Sequence, residues 1–208
     1  MEDVFQQRYL DHQSRKKETL ESADVTIEPV HELEYSQEEY RALIKILKTR
    51  RSQRIFNDIP LLDSEISDIL MAIQVSPSSC NRQAVYVKIA EDKDYIANTL
   101  VGGRGWINKA DKVLLIFASR DAYKSPNEQG FMPYLDAGVV TQSIYLMSEV
   151  LEIGCCFVNP NIREENKQAF IDTYGDDYFC GAVALGNYNQ KAKQPPIRSV
   201  DKVLVLCK

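Results

Sequence analysis

Histidine is nearly absent from this chain. Its 208 residues hold only His12 and His31, both in a polar N-terminal segment. The body of the chain therefore offers no imidazole for a Ser-His-Asp or Cys-His triad. The five cysteines (Cys80, Cys155, Cys156, Cys180, Cys207) are odd in number and carry no C-x-x-C spacing. With so little histidine, that pattern argues against a metal site. No apolar run reaches the roughly 18 residues of a membrane span. The start, Met1-Glu2-Asp3-Val4, lacks the apolar stretch of a signal peptide, so a cytoplasmic location is expected. Net charge is −5 and the pI is near 5.2, which argues against nonspecific nucleic-acid binding. No internal repeat or low-complexity tract is apparent. A hydrophobic share of 44% and a length of 208 residues suit one globular domain with a substantial core.

Against that acidic background stands a local excess of positive charge. Arg41, Lys45, Lys48, Arg50, Arg51 and Arg54 fall within fourteen residues that include no carboxylate. The densest part, Arg50-Arg51-Ser52-Gln53-Arg54, presents three guanidinium groups and a hydroxyl. Guanidinium forks match phosphate oxygens in shape and charge, and each such bond is worth about 1.5–3 kcal/mol. A cationic helix end in solvent, favourable against the helix dipole, is the plainer reading.

Periodicity organises the rest. Residues 1–35 are charged and only partly patterned, and read as an extension. Ser36-Gln37-Glu38-Glu39 is a capping box opening a helix with Tyr40, Leu43, Ile44 and Leu47 on one face. Asp63 reads as the cap of a second helix through Ile66, Ile69, Leu70 and Ile73. Strands are expected at Ala84–Ala90, Lys112–Ser119, Cys155–Asn159 and Cys180–Gly186. The uninterrupted run Val113–Ala118 suits a strand covered on both faces. Helices are expected at Asp92–Leu100 and Ile162–Tyr174, and residues 120–133 read as a mobile loop. The segment Tyr134–Ile153 carries apolar residues round most of its circumference, which predicts a helix buried on nearly all sides, in a core or against a partner. Lys202–Cys207 is an apolar arm suited to pairing with a sheet edge.

Other stretches have both a plain and a functional reading. Pro77-Ser78-Ser79-Cys80-Asn81-Arg82-Gln83 is turn-forming, yet its short polar groups suit the edge of a planar heteroaromatic ring. Lys193–Arg198 gains meaning only if it folds back to the first cluster. Asp136 is most simply a favourable charge near a helix start. Cys155-Cys156, beside Phe157 and Val158, read as small buried hydrophobes.

In this order the segments resemble the nitroreductase family of FMN-dependent oxidoreductases. The matching pieces are Arg50–Phe56, Pro77–Gln83, Asp136-Ala137-Gly138 opening a helix that ends Leu151-Glu152-Ile153-Gly154, Leu185-Gly186-Asn187-Tyr188, and the tail with Pro195-Pro196-Ile197-Arg198. The resemblance spans about residues 40–208, so the expected division is an extension at 1–35 and an FMN-binding domain at 36–208. It implies an α+β fold with a central, mostly antiparallel sheet in an intertwined homodimer. It also implies NAD(P)H as reductant and a conjugated acceptor, such as a nitroaromatic or quinone, in a ping-pong cycle on the flavin. Arg50, Arg51, Ser52 and Arg54 would hold FMN, and Lys193 and Arg198 would close on its phosphate. Pro77, Ser78, Ser79 and Asn81 would come from the other subunit, and the backbone at Val158 and Asn159 would face the flavin ring. Alternatives are different flavin chemistry on the same fold (reductive dehalogenation or dehydrogenation) and a non-catalytic flavin-binding protein. A third is a phosphate-binding regulatory domain with no cofactor.

Overall fold

The computed structural model describes residues 35–199 and Val203. The two histidines and residues 1–34 lie outside the described residues, as does the C-terminal arm apart from Val203. The chain forms two compact units, residues 1–40 and 41–208.

Helix α1 (Gln37–Thr49) starts on the expected capping box. The Ser36 backbone N–H donates to Glu39 Oε2 at 2.7 Å, and the Glu39 N–H donates to Ser36 Oγ at 3.2 Å. The helices that follow are α2 (Asp63–Gln74), α3 (Lys93–Thr99), α4 (Pro126–Gln129), α5 (Met132–Val150) and α6 (Lys167–Tyr174). Strands β1 (Val85–Ile89), β2 (Lys112–Ala118), β3 (Gly154–Val158) and β4 (Tyr178–Gly186) form one antiparallel sheet in the order β1-β2-β4-β3. The fold is thus the expected α+β, antiparallel architecture.

Position in the sheet explains the composition of β2. It is an inner strand with helices over both faces, and Val113 through Ala118 are fully buried. Alternation sends Leu114, Ile116 and Ala118 against Ile69 of α2 and Ala137, Val140 and Ile144 of α5. Val113, Leu115 and Phe117 face the other way, into a cluster with Ile96 of α3 and Phe170 of α6. Each such buried aliphatic contributes about 1.5–3 kcal/mol. β3 lies at the sheet edge, and that edge matters below.

Several boundaries differ from expectation for identifiable reasons. Asp63 is the first residue of α2 rather than its cap, because the Leu62 N–H donates to Glu65 Oε2 at 2.7 Å. Residues 120–133 hold a 3₁₀ turn (Arg120–Ala122) and α4, which Ser125 caps by accepting from the Glu128 N–H at 3.2 Å. The helix expected from Ile162 begins only at Lys167, after a 3₁₀ turn at Glu164–Asn166. Arg163 Nε, donating to the Asn98 carbonyl at 2.9 Å, ties that approach to the end of α3.

The long helix α5 is not buried on nearly all sides within one chain. Pro133, Asp136, Ala137, Val140, Thr141, Ile144 and Ser148 are buried along one stripe. Leu135 and Val150 remain 57% and 56% exposed. A single sheet face covers only one side of a helix, and these apolar side chains point elsewhere.

Candidate functional site

α1 ends at Thr49, whose hydroxyl oxygen lies 2.8 Å from the Lys45 carbonyl oxygen and 2.6 Å from Glu149 Oε1, with one hydrogen to give to either. The chain then extends along the free edge of β3. Ser52 forms a parallel bridge with Cys155, and the Gln53 N–H donates to the Cys155 carbonyl at 2.9 Å. Two segments a hundred residues apart in sequence meet here, at the strand edge that β4 leaves open.

Gln53 holds the seam together. It is buried, and its amide is used at both ends. Nε2 donates to the carbonyls of Ile55 (2.7 Å) and Gln190 (3.1 Å), while Oε1 accepts from the Ala192 N–H at 2.9 Å. Gly154 lets it approach: a Cβ there would sit 2.8 Å from Gln53 Cγ and 2.8 Å from the Gly186 carbonyl oxygen. The tail at 190–194 therefore folds back on the basic cluster. Lys193 sits between Ala192, bound to Gln53, and Gln194, which accepts from Arg51 Nη2 at 2.8 Å. Arg198 lies further along the tail and is exposed. It has no hydrogen bond or ion pair among the described residues.

The three arginines of the cluster are not equivalent. Arg51 turns back on α1: its Nη1 donates to the carbonyls of Lys48 (2.8 Å) and Arg50 (2.7 Å), which satisfies open acceptors at the helix end. Arg50 instead lies over the Tyr145 ring at 4.9 Å, and Arg54 over the Trp106 ring at 5.6 Å. Among the described residues neither pairs with a carboxylate. Cation–π contacts orient a guanidinium without neutralising it, so Arg50 and Arg54 keep their charge and donors for something else.

Behind these cations lie Cys155 and Cys156, both buried, as expected of small hydrophobes. Burial pushes both thiols up. For Cys156 the nearby Arg54, Tyr145, Ser52 and Arg50 oppose that shift in part. Neither is a ready thiolate, so a nucleophilic role does not fit. The Tyr145 phenol is pushed up to about 12, chiefly by burial. Its hydroxyl lies 2.8 Å from the Phe157 backbone nitrogen and 3.2 Å from Ser52 Oγ.

The second predicted segment sits at the other end of α5. Asp136 Oδ1 accepts from the Ser79 N–H at 2.9 Å and from Ser79 Oγ at 2.7 Å, and Oδ2 accepts from the Tyr123 hydroxyl at 2.9 Å. Asp136 is buried. It is thus the internal acceptor that fixes this loop, and not merely a charge facing the helix dipole. Ser78 Oγ accepts from the Gln83 N–H at 2.9 Å. The loop is strained: Cys80, Asn81 and Gln83 have φ of 53°, 53° and 51°. Asn tolerates that region, but Cys and Gln adopt it only under constraint. Arg82 is pinned by Glu128 at 2.9 Å. Pro77 and Asn81 are exposed. Asp136 and Tyr145 are about 13 Å apart along α5 at 1.5 Å per residue. One chain therefore keeps Pro77, Ser78, Ser79 and Asn81 apart from Arg50, Ser52 and Arg54.

At the end of β3, Val158 is buried and paired with Ala182, and Asn159 is exposed with its Oδ1 accepting from the Asn161 N–H at 3.2 Å. A cavity of about 450 Å³ lies beyond, lined by Arg120, Tyr134, Ile162, Lys167 and Tyr178 among others, with no residue of the basic cluster. Its cations are already engaged: Arg120 with Asp176, and Lys167 with Glu164. Among the described residues no group of three or more His, Cys, Asp and Glu could hold a metal ion, and no helix is long and apolar enough to cross a membrane.

Gln53 and Tyr145 were not singled out from the sequence. A glutamine inside an arginine cluster is a weak signal for a buried peg. Tyr145 reads there as one more residue on an apolar helix face.

Comparison with known proteins bears on the fold and the family resemblance. Residues 47–100 match the model of the nitroreductase family. The chain is 26% identical over 135 residues to an Archaeoglobus fulgidus protein named as a candidate NADH dehydrogenase/NAD(P)H nitroreductase, covering 64% of this chain and 75% of that one. It is 37% identical over 78 residues to the FMN reductase [NAD(P)H] of Bacillus subtilis, covering 36% of this chain and 31% of that one. Among solved structures, a candidate nitroreductase in complex with FMN from Desulfovibrio desulfuricans superposes with a TM-score of 0.66 at 23% identity, covering 78% of this chain and 94% of that one. The fold is the nitroreductase fold, and the resemblance to the nitroreductase family is borne out in both sequence and architecture.

Proposed function

We propose that this protein is an FMN-dependent NAD(P)H oxidoreductase. The observation that carries the reading is the pair of guanidinium groups, Arg50 and Arg54, held on aromatic rings without a carboxylate partner, on a seam where the tail brings in Lys193. That donor set fits a phosphate monoester, and the relatives named for FMN supply the ring attached to it. Bound there, FMN would supply the redox chemistry between NAD(P)H and a conjugated acceptor such as a nitroaromatic or a quinone, with both substrates using one site in turn.

The residues contribute binding and orientation. Arg50, Ser52, Arg54 and Lys193 hold the phosphate, and Arg198 closes on it from the tail. Arg51 acts at one remove, by bracing the end of α1. On β3 the Cys155 carbonyl and the Phe157 N–H both point to the open edge. Alternation carries the next outward backbone N–H to Asn159, beside buried Val158, where it would be available to the flavin ring. Pro77, Ser78, Ser79 and Asn81 complete the site from a second copy, since one chain holds them too far away. The exposed apolar side chains of α5 suit that homodimer.

Anaerobic titration of the FMN-loaded protein tests the reading. NADH or NADPH should bleach the flavin absorption, and a nitroaromatic or quinone should restore it. Colour that persists with either nucleotide would instead favour a passive flavin-binding protein.

A further inference from the structure

Tyr145 has one hydrogen bond whose direction is fixed. Its hydroxyl oxygen lies 2.8 Å from the Phe157 backbone nitrogen, and a backbone N–H can only donate. The phenol oxygen is therefore an acceptor there. The phenol also has one hydrogen to place. Ser52 Oγ, at 3.2 Å, can accept it, and the Cys156 sulfur also lies within hydrogen-bonding reach of both hydroxyls. Burial keeps that hydrogen in place, since the phenol is pushed up to about 12. If Tyr145 donates to Ser52, the serine's own hydrogen is free to point away from the protein, toward whatever Arg50 and Arg54 hold.

The same hydroxyl also shapes the seam. Ser52 and Cys155 start a parallel ladder. Its next rung would join the Phe157 N–H to the Gln53 carbonyl. Tyr145 takes that N–H instead, so the ladder stops after one bridge and Arg54 leaves the strand edge for the Trp106 ring. The ring of Tyr145 meanwhile carries the Arg50 guanidinium at 4.9 Å. One side chain thus sets Ser52, Arg50 and the departure of Arg54.

Resting on the FMN reading above, we infer that Tyr145 is a positioning residue for phosphate recognition: its hydroxyl, anchored by the Phe157 amide, donates to Ser52 and turns the serine into an obligate donor to the phosphate. The role is specific to the charged end of the ligand. A contact that merely stabilised the fold would affect phosphorylated and unphosphorylated flavin alike.

The test compares FMN with riboflavin, which lacks the phosphate, by fluorescence titration of the full-length protein. Tyr145→Phe keeps the ring under Arg50 and removes only the hydroxyl. It should weaken FMN binding by about tenfold, the scale of one hydrogen bond to a charged group, and leave riboflavin affinity unchanged. Ser52→Ala should give the same phosphate-selective loss, and it keeps the test open should Tyr145→Phe fold poorly. The double variant should lose no more than either single one. Equal losses for both ligands, no loss for either, or additive losses in the double variant would overturn the inference. Wild-type protein that binds FMN no more tightly than riboflavin would refute the underlying phosphate reading, and that result appears before any variant is made.

Discussion

The two ends of α5 solve opposite problems. At its start, Asp136 is buried and surrounded by donors: the Ser79 amide and hydroxyl and the Tyr123 hydroxyl. Charge and donors are matched within the chain. Toward its end, Arg50 rests on Tyr145 and Arg54 on Trp106, with no carboxylate in reach among the described residues. The first arrangement is closed and the second open. A closed polar network fixes the backbone, here a loop with three left-handed non-glycine residues. An open one leaves charge available for a ligand. The arginine cluster contains both kinds in miniature, because Arg51 is spent on the end of α1 while its neighbours are free.

The contrast can be broken at its closed end. Asp136→Ala strands several buried donors at once and should lower unfolding free energy by about 2–4 kcal/mol, read by denaturant titration. Asp136→Asn keeps an acceptor and should lose less. A stability change within about 0.5 kcal/mol, typical of a surface site, would show that the network does not hold the loop.

Alkaline pH presses on the open end. The folded Tyr145 phenol is raised from 10.0 to about 12, so the folded protein keeps its proton after the unfolded chain has lost it. Stability contributed in this way is fully present below pH 10.0, and is lost as pH rises through about 12. The thiols of Cys155 and Cys156 are also raised, by burial, and their losses begin nearer their ordinary value of 9.0. Stability should therefore decline across this alkaline range, and Tyr145→Phe should flatten the upper part of the decline. An unchanged slope in that variant would contradict the assignment.

The mildest probe is thiol labelling. Cys80, on the strained loop, is exposed, whereas Cys155, Cys156 and Cys180 are buried. Peptide mapping after brief alkylation should find those three unmodified, whereas Cys80, between Ser79 and Asn81, is open wherever no second copy covers that loop. Early labelling of the vicinal pair would mean that the seam opens readily in solution.

How much of this the sequence revealed depends on whether the relevant contact was local. The strands were legible because β2 is apolar without interruption and because an inner strand needs both faces apolar. The capping box of α1 was legible because its partners lie three residues apart. The cationic cluster was plain from charge density alone. The role of Asp136 was not, since its donors come from two other segments and a helix start offers a simpler explanation. Nor was the division of labour among the arginines: Arg50 and Arg51 are adjacent and chemically identical, and only the fold turns one outward and the other back. Helix periodicity gave the apolar circumference of α5 but not what covers it, which is why the helix proved to be buried along only one stripe of a single chain.

The central claim is that Arg50 and Arg54 hold the phosphate of FMN, and flavin retention measures it most directly. Wild-type protein, loaded with FMN and then dialysed, should keep its yellow colour. The Arg50→Ala, Arg54→Ala double variant should lose it, with affinity reduced by about a hundredfold or more for two charge-assisted contacts, while its melting without FMN stays close to that of FMN-free wild type. Flavin content unchanged in a well-folded double variant would contradict the account.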